Sequence, residues 1–517
     1  MIQAFSTYAN AQGTTLAAAF APLGNAYLRV GRTPESTSHA STPTLSIDTT
    51  RVLQPIDGFG ASITEATSWL WHNRVTDKER CIRDLFSPRD GIGISMLRQP
   101  IGPSDHVSAP YRFVRRFPDR NLNSLDFTPE MERVLPMVEA ANDCALATQS
   151  HALNIMASPW SAPWWMKTNL SVLGKRRYTR ITGHLRRGMY AAYARYITGF
   201  ARLYAQRGLP LFALTVTNEP DYPQSRWPSM AMTPREQAEF VARHLRPMLD
   251  HAGLDGTRIL CWDHNYSTDH YPDGAFVRDM YADSAALTAC AGSAWHYYGG
   301  SARTMSRIHD AFPNKGIWAT EASGGDWGPR NFTPALLSLG TAVIDMMNNW
   351  ARSAVLWNIA LDEHGGPDYY YLRNDRRHSE NRGLITVRDD GSIRRNADYY
   401  ALGHFSKYVP IGSRCVECAL DHAQGVRAAA FLVPAALTHG DGDQVVAVLV
   451  NSRPEPLDLL CHLRGAGNGV MLTLPALPFL ACKDVFDSSG VDEASLAVVF
   501  EVVESHGDAA QGLEAAV

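Results

Sequence analysis

Two carboxylates in this chain stand where strand-like runs end. FALTVTNEP (212–220) alternates β-branched and apolar residues as a buried strand does, then closes on Asn218, Glu219 and Pro220; GIWATEAS (316–323) closes on Glu321. A facing pair of carboxyl groups is the equipment of glycosidic bond cleavage. One protonates the departing oxygen, and the other stabilises or captures the oxocarbenium-like carbon. Each Glu alone reads equally well as a surface group capping a turn. Together, at matching ends of two strands, they favour the paired reading, with about 5 to 5.5 Å between them if configuration is retained. Asn218 adds an amide able to hold a sugar 2-hydroxyl, a contact that tightens in the transition state.

Those residues need a frame that brings distant strand ends together. Eight strand-type runs recur with helical patterns between them: GFGASIT (58–64), IGISMLRQP (92–100), LNIMASPW (153–160), FALTVTNEP, ILCWDHN (259–265), SAWHYYG (293–299), GIWATEAS and AVLWNIALD (354–362). Helical periodicity fills 129–144, 188–206, 234–251 behind a Thr233 N-cap, and about 334–351. Eight strands alternating with helices predict an α/β fold, a (β/α)8 barrel. A doubly wound open sheet is the alternative, and it lacks the glycine-rich phosphate turn after its first strand. From about Ala397 the runs become short strands divided by turns, which predicts a β-sandwich side domain. The division expected is 1–57, contributing strands to the side domain; 58–396, the barrel; and 397–517, the sandwich and an acidic tail.

Barrel chemistry sits at the carboxyl ends of the strands. Those ends carry Arg98, Trp160, Asn218, Glu219, Asp263, His264, Asn265, His296, Tyr297, Tyr298, Glu321, Trp357 and Asn358. His264, His270 and His296 invite a metal reading, but no HExxH or HxH spacing supports one, and hydrogen bonds to carboxylates and sugar hydroxyls suit them better. No metal and no cofactor is expected.

Composition removes several classes. The chain has 517 residues, 45% hydrophobic and 19% charged, without an apolar run able to span a bilayer, so no integral membrane segment is expected. A formal charge of -4, with Lys and Arg read as scattered, argues against nucleic acid. Trp 12 and Tyr 20 exceed ordinary core needs and suit the apolar faces of sugar rings. Eight Cys do not make a disulfide scaffold; Cys415, Cys418, Cys461 and Cys482 read as buried thiols ahead of a zinc site. No Lys or Arg precedes Arg29, so no secretory signal is read and a cytoplasmic location is expected, or secretion if the N-terminus is truncated. Nothing specifies an oligomeric state.

Taken in order, GFGASITEA, GIGISMLRQPIGPSD, ASPWSAPWWMKTN, VTNEP, WHYY, ATEASG, WNIALDEHGGP and LGHFSKYVPIGS resemble glycoside hydrolase family 30, which includes glucosylceramidases and endo-β-1,6-glucanases. The resemblance implies a retaining, two-step hydrolysis of a β-glucosidic bond, with Glu219 as acid/base and Glu321 as nucleophile. It further implies that Arg98, Asp105, Trp160, Asn218, Tyr298 and Trp357 line a sugar subsite, with His296 beside Tyr298 and Asn374 a further match. Glu219 is expected to stay protonated near neutrality through burial and the charge of Glu321. The resemblance favours glucosylceramide or another β-glucoside as the substrate, with an endo-β-1,6-glucanase and a non-catalytic carbohydrate-binding barrel as alternatives. A ceramide would need apolar surface at the mouth, and SAPWWMKTNLSVL (161–173) is the stretch that could supply it or else pack against the rim.

Overall fold

Strand-type runs as apolar as these belong to a sheet that is covered on both faces. In the computed structural model the eight runs form a closed parallel barrel, β1 Gly58–Ser62, β2 Met96–Ile101, β3 Asn154–Pro159, β4 Leu211–Thr215, β5 Arg258–Asn265, β6 Gly292–His296, β7 Gly316–Ala322 and β8 Ser353–Asn358. β8 pairs with β1 and closes the ring. The structure describes residues 2–9, 14–22, 28–32, 42–175, 181–369, 379–437, 443–464, 468–474 and 494–503. Asn374, Cys482 and the acidic tail beyond 503 lie outside them. Thr233 caps the following helix through a full capping box with Glu236, and that helix runs on to His251 through one π turn.

Inside the barrel the side chains stack in layers. Met96, Met156, Ala213, Leu260, Ala294, Trp318 and Val355, from β2 to β8 in turn, make an apolar plug. Two residues further along β2, β3, β4, β6 and β7 the interior turns polar, with Arg98, Ser158, Thr215, His296 and Thr320, while β8 carries Trp357 there. Period two carries the sequence from plug to site in one step. β1 answers the plug with Gly60, where a Cβ would stand 1.7 Å from the Met96 carbonyl oxygen, so only glycine lets β1 approach β2.

β5 breaks the alternation. Strict period two from Leu260 would send Trp262 inward and Asp263 out. Instead Trp262 and Asp263 take φ of 72° and 66°, and the register against β6 jumps from Ala294–Trp262 to Trp295–His264. The extra residue is a bulge that turns Asp263 into the barrel and leaves Trp262 packed outside, its ring 4.5 Å from Phe276.

The side domain is a ten-stranded hydrogen-bonded sheet folded over itself. Within it the long strand Thr44–Pro55 pairs with Arg414–Asp421 along one edge and Leu457–Leu463 along the other. Ala428 and Ala430 of the strand Val426–Val433 face the sandwich interior, while Ala429 and Phe431 face the barrel core. Residues 1–57 were expected to contribute strands here, and Ile2–Ala9, Leu16–Pro22, Leu28–Arg32 and Thr44–Pro55 all join this sheet. Ala397–Ser406 forms a helix buried along its whole length, and the first strand after it starts at Arg414. Cys415 and Cys418 lie on opposite faces of one strand, in separate cores, and so do not form a ligand pair. No helix among the described residues is long and apolar enough to cross a membrane.

Candidate active site

Glu219 is the fourth residue beyond β4 and takes φ of 47°, a left-handed conformation uncommon for a side chain of this type. Its N–H donates to the Asp263 carbonyl at 3.0 Å, and the Asn218 N–H donates to the Pro159 carbonyl at 2.8 Å. The bulge in β5 and the end of β3 thus fix the turn that aims the carboxyl inward. Strain held this way by neighbouring strands collects at functional sites. Glu321 sits within β7, and its Oε2 accepts from Arg98 Nη1 at 2.7 Å.

His296 measures the gap. Its Nδ1 lies 3.2 Å from Glu219 Oε1 and 3.8 Å from Glu321 Oε1, so these oxygens are at most 7.0 Å apart, the sum of the two distances. That leaves most of the inverting range, about 6.5 to 9.5 Å, out of reach. Both carboxyls border a cavity of about 770 Å³, with side chains 14% and 9% exposed.

Of the residues expected there, Asp105, Trp160, Asn218, Tyr298 and Trp357 line that cavity together with both Glu. Trp160 and Trp357 stack with ring centres 4.7 Å apart, and Trp357 Nε1 donates to Asp105 Oδ2 at 3.3 Å. Arg98 and His296 lie beneath the floor instead. Arg98 is 1% exposed and its Nη2 donates to Asn218 Oδ1 at 2.7 Å, orienting the amide. His296 is fully buried and absent from the cavity lining, so of the two kinds of partner expected for it the carboxylates are the ones in contact. His264 Nδ1 stands 3.5 Å from Glu219 Oε1, and exposed His270 pairs with Asp221 at 2.9 Å.

Asp263 is the group that strand-end reading named without giving it a role. Wholly buried, it accepts from Arg98 at 3.0 Å, Ser158 and Thr215 at 2.6 Å, Thr320 at 2.8 Å and His296 at 3.2 Å. Burial pushes its carboxyl up, but Arg98, His296 and Ser158 outweigh that and hold it below the usual range. Alternation hides it; an Asp inside the apolar run ILCWDHN is the one sequence signal that could have found it.

The protonation pattern differs from the expectation for Glu219. Burial pushes Glu219 up, yet His264 and His296 override it and hold the carboxyl well below its ordinary value. Glu321 moves the other way: burial raises it, reinforced by Glu219 and Asp105 and opposed by His296 and Arg98. Burial lowers the His296 imidazole, but Glu321, Asp263 and Glu219 together lift it to about 9. At neutral pH the proton nearest Glu219 therefore sits on His296, as an imidazolium between carboxylates.

Glu219, His264 and His296 bring ligand atoms within 4.8 Å of one another, a donor set that zinc accepts. Both nitrogens of His296 already donate to carboxylates, and Arg98 stands beside them, so this cluster fits a proton better than a dication.

A closed (β/α)8 barrel with two carboxyls across its mouth, a stacked Trp pair beside them and a buried Arg beneath defines a glycoside hydrolase. The chain belongs to glycosyl hydrolase family 30, whose TIM-barrel domain profile matches residues 56–409. It is 28% identical over 386 residues to an endo-1,6-β-D-glucanase of Trichoderma harzianum, covering 72% of this chain and 74% of that one. It is 26% identical over 430 residues to the lysosomal acid glucosylceramidase of Mus musculus, covering 79% and 77%. Among solved structures the fold is similar to SrfJ from Salmonella typhimurium, with TM-score 0.80 at 22% identity over 98% of this chain and 100% of that one.

Proposed function

We propose that the enzyme hydrolyses β-glucosidic bonds with retention, Glu321 acting as nucleophile and Glu219 as acid/base. The observation that carries this is His296 within reach of both carboxylates. Glu321, held by Arg98, attacks the anomeric carbon and forms a glycosyl ester. Glu219 delivers a proton, drawn from the His296 imidazolium against it, to the departing oxygen. In the second step Glu219 as carboxylate takes a proton from water, whose oxygen releases the sugar from Glu321. Binding of sugar over the Trp160–Trp357 pair expels water and strengthens each of these charge contacts.

For the aglycone we favour a further saccharide, as in a β-1,6-glucan. The catalytic cavity shares Asp105, Tyr222, Trp227, Trp327 and Asn381 with a second cavity of about 840 Å³. That second cavity is lined largely by charged and amide groups, among them Asp326, Asp362, Glu363 and Arg394, which hydrogen-bond hydroxyls and do not solvate alkyl chains. Tyr222 and Trp327, both half exposed, flank the groove as flat faces for pyranose rings. The apolar stretch considered for ceramide is mostly spent on packing: Trp165 and Met166 are buried, and Leu170 is the large residue left exposed. Likeness to the mouse glucosylceramidase supports glycolipid as the second reading. A product profile on glucosylceramide, an aryl β-glucoside, gentio-oligosaccharides and β-1,6-glucan separates them. Short oligosaccharides from the polymer are expected; turnover confined to glucosylceramide would reverse the preference.

A further inference from the structure

The loops that leave β7 and β8 are zipped together. Beyond Glu321 the chain runs through Ser323 and Gly324 to Trp327, and residues 379–382, after β8, lie antiparallel against it. Gly325 bridges Asn381, the Asp326 N–H donates to the Glu380 carbonyl at 2.8 Å, and the Arg382 N–H donates to the Gly324 carbonyl at 2.9 Å. Asp326, Trp327, Glu380, Asn381 and Arg382 wall the second cavity, and of these Trp327 and Asn381 also line the catalytic one. Glu321 borders the catalytic cavity alone.

A single carboxylate fastens both halves of this zipper. Asp398, buried in the helix Ala397–Ser406, accepts from the Gly324 N–H at 3.1 Å through Oδ1 and from Arg382 Nε through Oδ2. Arg382 extends the hold, its Nη1 donating at 3.3 Å to the carbonyl of Pro329, on the other side of Trp327 in the chain. The join leaves no slack: a Cβ on Gly324 would stand 2.2 Å from Arg382 Nη2 and 2.3 Å from Asp398 Oδ1. Between these attachments Trp327 is 49% exposed, with the Tyr298 ring edge-on to it at 6.4 Å, centre to centre. Asp398 itself lines neither cavity, so whatever it does for substrate it does through this wall.

Charge-assisted bonds from a buried carboxylate hold geometry more firmly than neutral ones. Spent on a loop, they set an exposed ring in place before substrate arrives, which spares binding the cost of ordering it. We propose that Asp398 is a positioning residue for the sugar beyond the one held over Trp160 and Trp357: it sets Trp327 as the face on which that second pyranose ring rests. The inference rests on the reading of the aglycone as a further saccharide. A carboxylate that only pinned the helix to the barrel would affect every substrate alike.

Two substrates separate these roles: gentiotriose, which extends past the first sugar, and β-glucosyl fluoride, which carries no second ring. The ratio of their kcat/KM values should fall about tenfold in Asp398→Ala, chiefly through the KM for gentiotriose. Asp398→Asn keeps an acceptor for the Gly324 N–H and should lose less; it also carries the test if the alanine variant does not fold. Trp327→Ala should lower the same ratio, and adding Asp398→Ala to it should lower the ratio no further, because both changes remove one contact. Without substrate, amide hydrogen exchange across 323–330 should quicken in Asp398→Ala. Equal falls on the two substrates, an unchanged ratio, additive losses in the double variant or unchanged exchange would overturn the proposal. A wild type that hydrolyses β-glucosyl fluoride but no gentio-oligosaccharide would instead overturn the saccharide reading, and the proposal with it.

Discussion

At the scale of single residues, the site is a proton-sharing problem. Glu219, Glu321 and Asp105 line one cavity with Asp263 buried beneath it, and Arg98 and His296 are the cations that make this tolerable. Because His296 is lifted to about 9, it is charged at neutral pH and loses its proton only on the alkaline side. A group whose folded value is raised stabilises the fold fully below its ordinary value, near 6.5, and ceases to do so as pH rises through about 9. The wild-type kcat/KM should therefore fall through that region, and His296→Gln should show no such limb in a pH–rate profile. Glu219→Ala should lose about 10² to 10⁴-fold on a substrate with a poor leaving group. With an activated aryl glucoside it should still form the glycosyl-enzyme, and azide should restore turnover to a β-glucosyl azide, identified by NMR. Glu219 and Glu321 could be singled out in the sequence because two carboxyl groups recur at matching ends of apolar runs, and Asn218 because its amide adjoins one of them. The charge state of Glu219 was not legible there, since it depends on His264 and His296, which come from two other strands.

At the scale of elements, the strands β1 to β8 could be read directly, because buried parallel strands are short apolar runs and little else competes with that pattern. The bulge in β5 could not. It changes which side chain points inward without changing composition, and it shows only in the register against β6 and in the packing of Trp262 on Phe276. Its consequence is large, since Asp263 neutralises Arg98 and seats His296. Asp263→Ala leaves a buried guanidinium with one acidic partner fewer and should destabilise the protein by about 3 to 5 kcal/mol in denaturant melts. Asp263→Asn keeps the shape and should recover part of that. An equal midpoint for Asp263→Ala and wild type would mean that the bulge carries no electrostatic weight.

At the scale of the whole molecule, barrel and side sheet are built as one body. Phe431 of the sheet is fully buried against the barrel, with its ring 6.4 Å from Phe59 in β1 and 6.3 Å from Phe405 in the helix Ala397–Ser406. Val426–Val433 is one of the short strands expected after Ala397, but two apolar faces on one strand say only that both are covered, not by what. Phe431→Ala should cost about 3 to 5 kcal/mol. It should lower a single thermal transition, seen alike by near-UV and far-UV dichroism; two separated transitions would show that the sheet unfolds by itself. Charge is the other whole-molecule property that averages conceal: the even scatter expected of the cations fails over positions 144–218, which hold ten Lys or Arg and no acidic residue.

The assignment of Glu321 and Glu219 to opposite sides of one anomeric carbon is tested most directly by proton NMR of the first product released from an aryl β-glucoside. The β-anomer should appear first and mutarotate afterwards. An α-anomer as the initial product would contradict the double displacement and the roles given to both residues.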